Sequence, residues 1–112
     1  MKIAISSTGK DLDSDVSSTF GRCPYFIIAE IEEEKIKKSE AIENTSADQT
    51  GGAGISAAQI VAEKDVSAVI SGNVGPRARD VFRQFNIETY SGSGSVNEAI
   101  QKFVDGKLQK IQ

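Results

Sequence analysis

Val66-Ser67-Ala68-Val69-Ile70 is an apolar run, and a helical pattern follows it: Ala78, Val81, Phe82 and Phe85 recur at the i, i+3, i+4, i+7 spacing of one apolar face. A second run, Asn86-Ile87-Glu88-Thr89-Tyr90, leads into a second such face made of Val96, Ala99, Ile100 and Phe103. This alternation leaves few architectures open. Neighbouring strands joined through a helix lie parallel, with right-handed crossovers. The punctuation agrees with the pattern. Pro76 suits the first position of a helix, where its missing N–H would be unbonded anyway. Ser95 and Glu98 form an S-x-x-E capping box, and Asp105-Gly106 stops the last helix.

The first half reads differently. Lys2-Ile3-Ala4-Ile5-Ser6 is a short buried strand, and Pro24-Tyr25-Phe26-Ile27-Ile28-Ala29-Glu30-Ile31 is a central strand with two largely apolar faces. Glu32-Glu33-Glu34-Lys35 has the polarity of a hairpin turn. Residues 36–42 return as a charged strand suited to a sheet edge, where charge discourages further pairing. After a polar, glycine-bearing loop, residues 55–64 read as an alanine-rich helix. The expected order is β-β-β-α-β-α-β-α. It predicts an α/β fold, a three-layer α/β/α sandwich over a mixed five-stranded sheet with three main helices, as one domain spanning 1–112.

Composition narrows the function. No apolar run approaches the roughly 20 residues that cross a bilayer, and the first residues lead straight into a strand rather than a secretory signal. A cytoplasmic, membrane-free protein is expected. The formal net charge of −3 disfavours nucleic acid as a partner. Cys23 is the single cysteine, which excludes an internal disulfide and multi-cysteine metal sites within one chain. Histidine is absent, removing the usual neutral-pH base and the commonest transition-metal ligand. Chemistry must run on backbone amides, carboxylates, hydroxyls, Arg, Lys and one thiol. That favours binding over catalysis, so no enzyme is expected.

In open α/β sheets, ligands bind beyond the carboxyl ends of the parallel strands. Three loops should gather there: the one after the first strand, Gly72-Asn73-Val74-Gly75, and Gly92-Ser93-Gly94-Ser95. The last two open helices, as does Gly51-Gly52-Ala53-Gly54, and helix starts receive anions. Glycine at such junctions is also an ordinary turn device. Arg77, Arg79 and Arg83 lie on the second helix; Arg77 could reach an anion there, or all three could be solvated charge. Arg22 stands between Gly21 and Cys23 just before the central strand. Cys23 reads either as a small buried residue or as a soft metal ligand. The segment from Gly9 to Arg22 is long for a connection, and its Asp11, Asp13 and Asp15 lack the glycine and distal glutamate of an EF-hand loop. No G-x-x-x-x-G-K-[ST] or complete G-x-G-x-x-G motif occurs, so a nucleotide site is not indicated.

Phe20-Gly21-Arg22-Cys23-Pro24-Tyr25-Phe26, Gly52-Ala53-Gly54-Ile55-Ser56-Ala57-Ala58-Gln59 and Ile70-Ser71-Gly72-Asn73-Val74-Gly75-Pro76 occur in that order, followed by Val96-Asn97-Glu98-Ala99-Ile100. Together they resemble the dinitrogenase iron–molybdenum cofactor biosynthesis family, which includes NifX-like and NafY-like proteins, the carboxy-terminal part of NifB proteins and orange-protein relatives. The resemblance implies a ribonuclease H-like fold with strand order 3-2-1-4-5. It also implies a non-enzymatic carrier of an anionic metal–sulfur cluster or thiometallate of molybdenum, iron or copper, serving a cofactor-biosynthesis protein. Carried over by position, Phe20, Gly21, Arg22, Gly52, Gly54, Gly72, Asn73 and Gly75 would line the site, with Cys23 beside it. The glycine-lined helix starts add Gly92 and Gly94. Family members often carry histidine just before F-G-R and before G-x-G; Thr19 and Gly51 stand there in this chain, which excludes histidine ligation. The alternative is a protein-interaction module of the same fold, acting through its hairpin or its long 9–22 loop.

Overall fold

The computed structural model describes residues 1–111. Nine elements follow one another: β1 (Lys2–Ser7), β2 (Tyr25–Glu32), β3 (Lys35–Glu43), α1 (Ala53–Ala62), β4 (Ala68–Ser71), α2 (Pro76–Gln84), β5 (Glu88–Ser91), α3 (Val96–Val104) and β6 (Gln109–Lys110). The sheet order is β3-β2-β1-β4-β5-β6. β1, β4 and β5 are parallel neighbours, as the strand–helix alternation requires, while β2 and β3 form the antiparallel hairpin. The expected 3-2-1-4-5 order and three helices are present. β6 extends the sheet by a sixth strand, antiparallel to β5. Two residues carry too short a pattern to announce a strand; the pairing partner creates it.

Period-two alternation sorts the core into two layers. Ala4, Phe26, Ile28 and Val69 face α1 and α2, meeting Ala57, Ala58, Val61, Ala78 and Phe82. Ile3, Ile5, Ile27 and Ile70 face α3, meeting Val96, Ala99 and Ile100. The small alanines of α1 let it lie close to the sheet and to α2. The β2–β3 turn is a two-residue loop in which Glu33 and Glu34 both take positive φ, 52° and 67°, the twist a tight hairpin needs.

The 9–22 segment is not a free loop. Val16 forms a bridge with Ser7, and Asp15 with Ser95. The N–H of Ser17 donates to Ser6 O at 2.8 Å, and that of Val16 to Gly94 O at 2.8 Å. The segment is thereby stitched across the carboxyl ends of β1, β4 and β5.

Candidate functional site

Phe20, Gly21, Arg22, Gly52, Ala53, Gly54, Ile55, Gly75, Pro76, Arg77 and Ala78 line one cavity of about 340 Å³. Three chain segments meet there for a steric reason. A Cβ on Gly21 would stand 2.9 Å from Gly54 Cα, closer than real atoms approach, so the bare backbone of Gly21 lets the 20–22 loop rest directly on the start of α1. Gly52 takes φ 71°, turning the chain into the helix from the left-handed region. Phe20 forms the floor: its ring lies 5.2 Å, edge-on, from Phe82 and 5.1 Å from Phe26. The cavity is therefore fixed to the core.

Two helices begin at this cavity, and neither has a side-chain cap. The first helical bond of α1 runs from Ser56 N–H to Gly52 O, and that of α2 from Arg79 N–H to Gly75 O. The amides of Ala53, Gly54 and Ile55, and of Arg77 and Ala78, precede those bonds and carry the positive ends of two helix dipoles. Arg22 and Arg77, both exposed, add full positive charge. The Arg22 guanidinium donates from Nη1 to Ala47 O at 2.9 Å and to Gln49 O at 2.6 Å, tying the 44–52 loop to the 20–22 segment. No acidic side chain lines the cavity. It can receive a compact anion through main-chain N–H groups.

Asn44, which the sequence marks only as the start of a polar loop, organises the approach. It is buried, and its Nδ2 donates to Gly21 O at 3.1 Å and to Cys23 O at 2.8 Å. Its Oδ1 accepts from the backbone and the hydroxyl of Ser46. The Asn-x-Ser pattern of an Asx turn is the one local signal for this role.

The structure does not bring every expected residue to this cavity. Gly72 and Asn73 lie on the neighbouring turn, where Gly72 N–H donates to Ser17 O and Asn73 O accepts from Phe20 N–H. A Cβ on Gly72 would reach 2.7 Å from Ser18 Cα, so that glycine serves a backbone crossing. Gly92 and Gly94 are elsewhere. Gly92 packs on Ile70 and donates to Ser71 O, and Gly94 O is taken by Val16. The start of α3 is already filled by the protein itself: Val96 N–H donates to Ser14 O, Asn97 N–H to Leu12 O, and Glu98 N–H to the Ser95 hydroxyl. The expectation of three open helix starts around one anion is thus corrected to two, those of α1 and α2, because the start of α3 is occupied. The long loop decides this by laying its own carbonyls on α3.

Cys23 faces the core, 1% exposed, beside Asn44. Burial pushes its thiol up to about 12, against weaker lowering by the Ser7 backbone and the Asn44 side chain. It is a neutral, packed thiol, and it does not line the cavity. Among the described residues no group of three or more His, Cys, Asp or Glu side chains is placed to hold a metal ion. No described helix is long and apolar enough to cross a membrane.

Comparison with known proteins follows the same lines. The model of a family described as dinitrogenase iron-molybdenum cofactor matches residues 1–106. The uncharacterized protein MJ0580 of Methanocaldococcus jannaschii is 38% identical, over 100% of this chain and 97% of its own length. The apo orange protein of Desulfovibrio gigas superposes with a TM-score of 0.91 at 29% identity, covering 98% of this chain and 92% of that one. The Thermotoga protein TM1290, described as a candidate NifB protein, gives 0.82 at 37% identity over 97% and 91%. With its fold, its strand order and the family-model match over residues 1–106 in agreement, the chain belongs to the dinitrogenase iron–molybdenum cofactor family.

Proposed function

We propose that this protein is a non-enzymatic, cytoplasmic carrier of an anionic metal–sulfur species, a cluster or thiometallate, on its way to or from a cofactor-biosynthesis protein. One observation carries the reading: two uncapped helix starts and two arginines converge on a single cavity of about 340 Å³ with no carboxylate in its wall. The donors suit the cargo. Sulfide and oxo groups on the outside of such an anion accept hydrogen bonds, and main-chain N–H groups supply them without displacing the metal's own ligands. Holding without ligating is what a carrier needs, because release then breaks only hydrogen bonds and ion pairs. Cys23, buried and protonated, takes no part in this mode.

The test is an anaerobic titration with tetrathiomolybdate followed by amide NMR. Shifts are expected at Gly52, Gly54, Ile55, Arg77 and Ala78, with little change at Val96, Asn97 and Glu98, whose amides are engaged. Arg77→Ala should weaken binding by about tenfold, the worth of one charge-assisted contact. Silence at the α1 and α2 starts with thiomolybdate, and with iron or copper plus sulfide, would overturn the proposal.

A further inference from the structure

β3 is the outermost strand on one side of the sheet, nine residues long and exposed over most of its length. A free edge of that length is a template for pairing, and proteins normally blunt it. The charge on β3 is not mixed but divided: Lys35, Lys37 and Lys38 occupy one end, Glu40 and Glu43 the other. Lys37 is engaged with Glu32 of β2 at 2.8 Å. Among the described residues Lys35, Lys38, Glu40 and Glu43 enter no salt bridge.

The ladder tells which backbone groups are free. Asn44 N–H donates to Pro24 O at 3.0 Å, and the β2–β3 register continues from there through Ile42↔Phe26, Glu40↔Ile28 and Lys38↔Glu30. Antiparallel pairs alternate between bonded and non-bonded. Ile42, Glu40 and Lys38 therefore turn their N–H and C=O toward β2, while Ser39, Ala41 and Glu43 turn theirs outward.

We propose that β3 is a self-association edge, on which a second copy of this chain pairs antiparallel about a two-fold axis at Ser39. The two Ser39 residues then exchange N–H···O bonds through groups that already face out. On each side Lys38 stands opposite Glu40 of the second copy, so the symmetry makes the ion pair twice, and the lysine end of each strand runs beside the glutamate end of the other. Other registers fit worse. An axis at Ala41 keeps the hydrogen bonds but sets Glu40 against Ile42 and Ser39 against Glu43. An axis at Lys37 falls on the register shift between Glu30 and Ile31, where the strand is irregular. A parallel copy sets like charges side by side. The divided charge thus refuses most edges and admits its own inverse. The regular stretch, residues 38–43, is short, so the dimer is weak and reversible.

Sedimentation velocity at low ionic strength, from about 10 µM to about 1 mM, should show a monomer–dimer equilibrium that salt weakens. Lys38→Glu and Glu40→Lys should each weaken the dimer by at least about tenfold, by setting like charges opposite one another twice. Equimolar mixing of the two variants should restore a heterodimer, and the double exchange K38E/E40K should restore the homodimer. Circular dichroism reports whether each variant folds; should Lys38→Glu not fold, Glu40→Lys and the double exchange decide. A wild-type monomer at all concentrations, a dimer indifferent to the reversals, or a double exchange that stays monomeric overturns the proposal.

Discussion

At the scale of single residues, Asn44 and Gly21 hold the cavity together for different reasons. Asn44 satisfies two carbonyls of the 21–23 segment from a buried position. Asn44→Ala removes both donors and should cost about 1–3 kcal/mol in urea unfolding. Gly21→Ala inserts a methyl group 2.9 Å from Gly54 Cα and should cost a similar amount, about 1–3 kcal/mol, by forcing the loop off α1. Cys23 supplies a third check. With its thiol buried and raised to about 12, iodoacetamide at pH 8 should modify the native protein at least about 100-fold more slowly than the unfolded chain, as read by mass spectrometry. Prompt alkylation of the native protein would place the thiol at the surface.

Among the elements, α3 differs from α1 and α2 in how its first turn is closed. Ser95 accepts from Glu98 N–H, and the Glu98 carboxylate accepts from Ser95 N–H at 3.2 Å. Ser95→Ala should cost about 1 kcal/mol. The Ser95 backbone N–H and then its hydroxyl hold the Glu98 carboxyl below its ordinary value of 4.5. A carboxyl lowered in the folded state stabilises above its unfolded value, and that contribution disappears as pH falls through the folded one. Glu98→Gln should therefore flatten the acid limb of the stability–pH curve below about pH 5, measured by urea midpoints. α1 and α2 offer no such box, and their first amides stay available to a ligand.

For the whole molecule, the cavity and the core are one mechanical unit, because Phe20 forms the floor of the first and packs edge-on to Phe82 in the second. Phe82→Ala should destabilise the fold by about 3–5 kcal/mol and also loosen the site, lowering the thermal midpoint and thiomolybdate affinity together. The 9–22 segment belongs to the same unit. Its Val16 and Ser17 amides, bonded to Gly94 O and Ser6 O, should exchange with deuterium as slowly as those of the sheet rather than like an open loop.

Much of this was legible in the chain. Strand–helix alternation fixed the parallel half, and apolar periodicity named the buried faces of α2 and α3, because those signals are local and repeat every 3.6 residues. Ser95-x-x-Glu98 announced its cap for the same reason. The motif Phe20-Gly21-Arg22 and the glycines at 52 and 54 marked segments that the fold then set side by side. What the chain alone could not say was which helix starts stay open. Among the first helical amides of α3 the box accounts only for that of Glu98; the carbonyls of Leu12 and Ser14 fold back from some eighty residues away to fill those of Asn97 and Val96. β6 and the inward turn of Cys23 were likewise decided by distant partners. A backbone donor carries no side-chain signature of whether it is taken; only the path of the rest of the chain through space determines that.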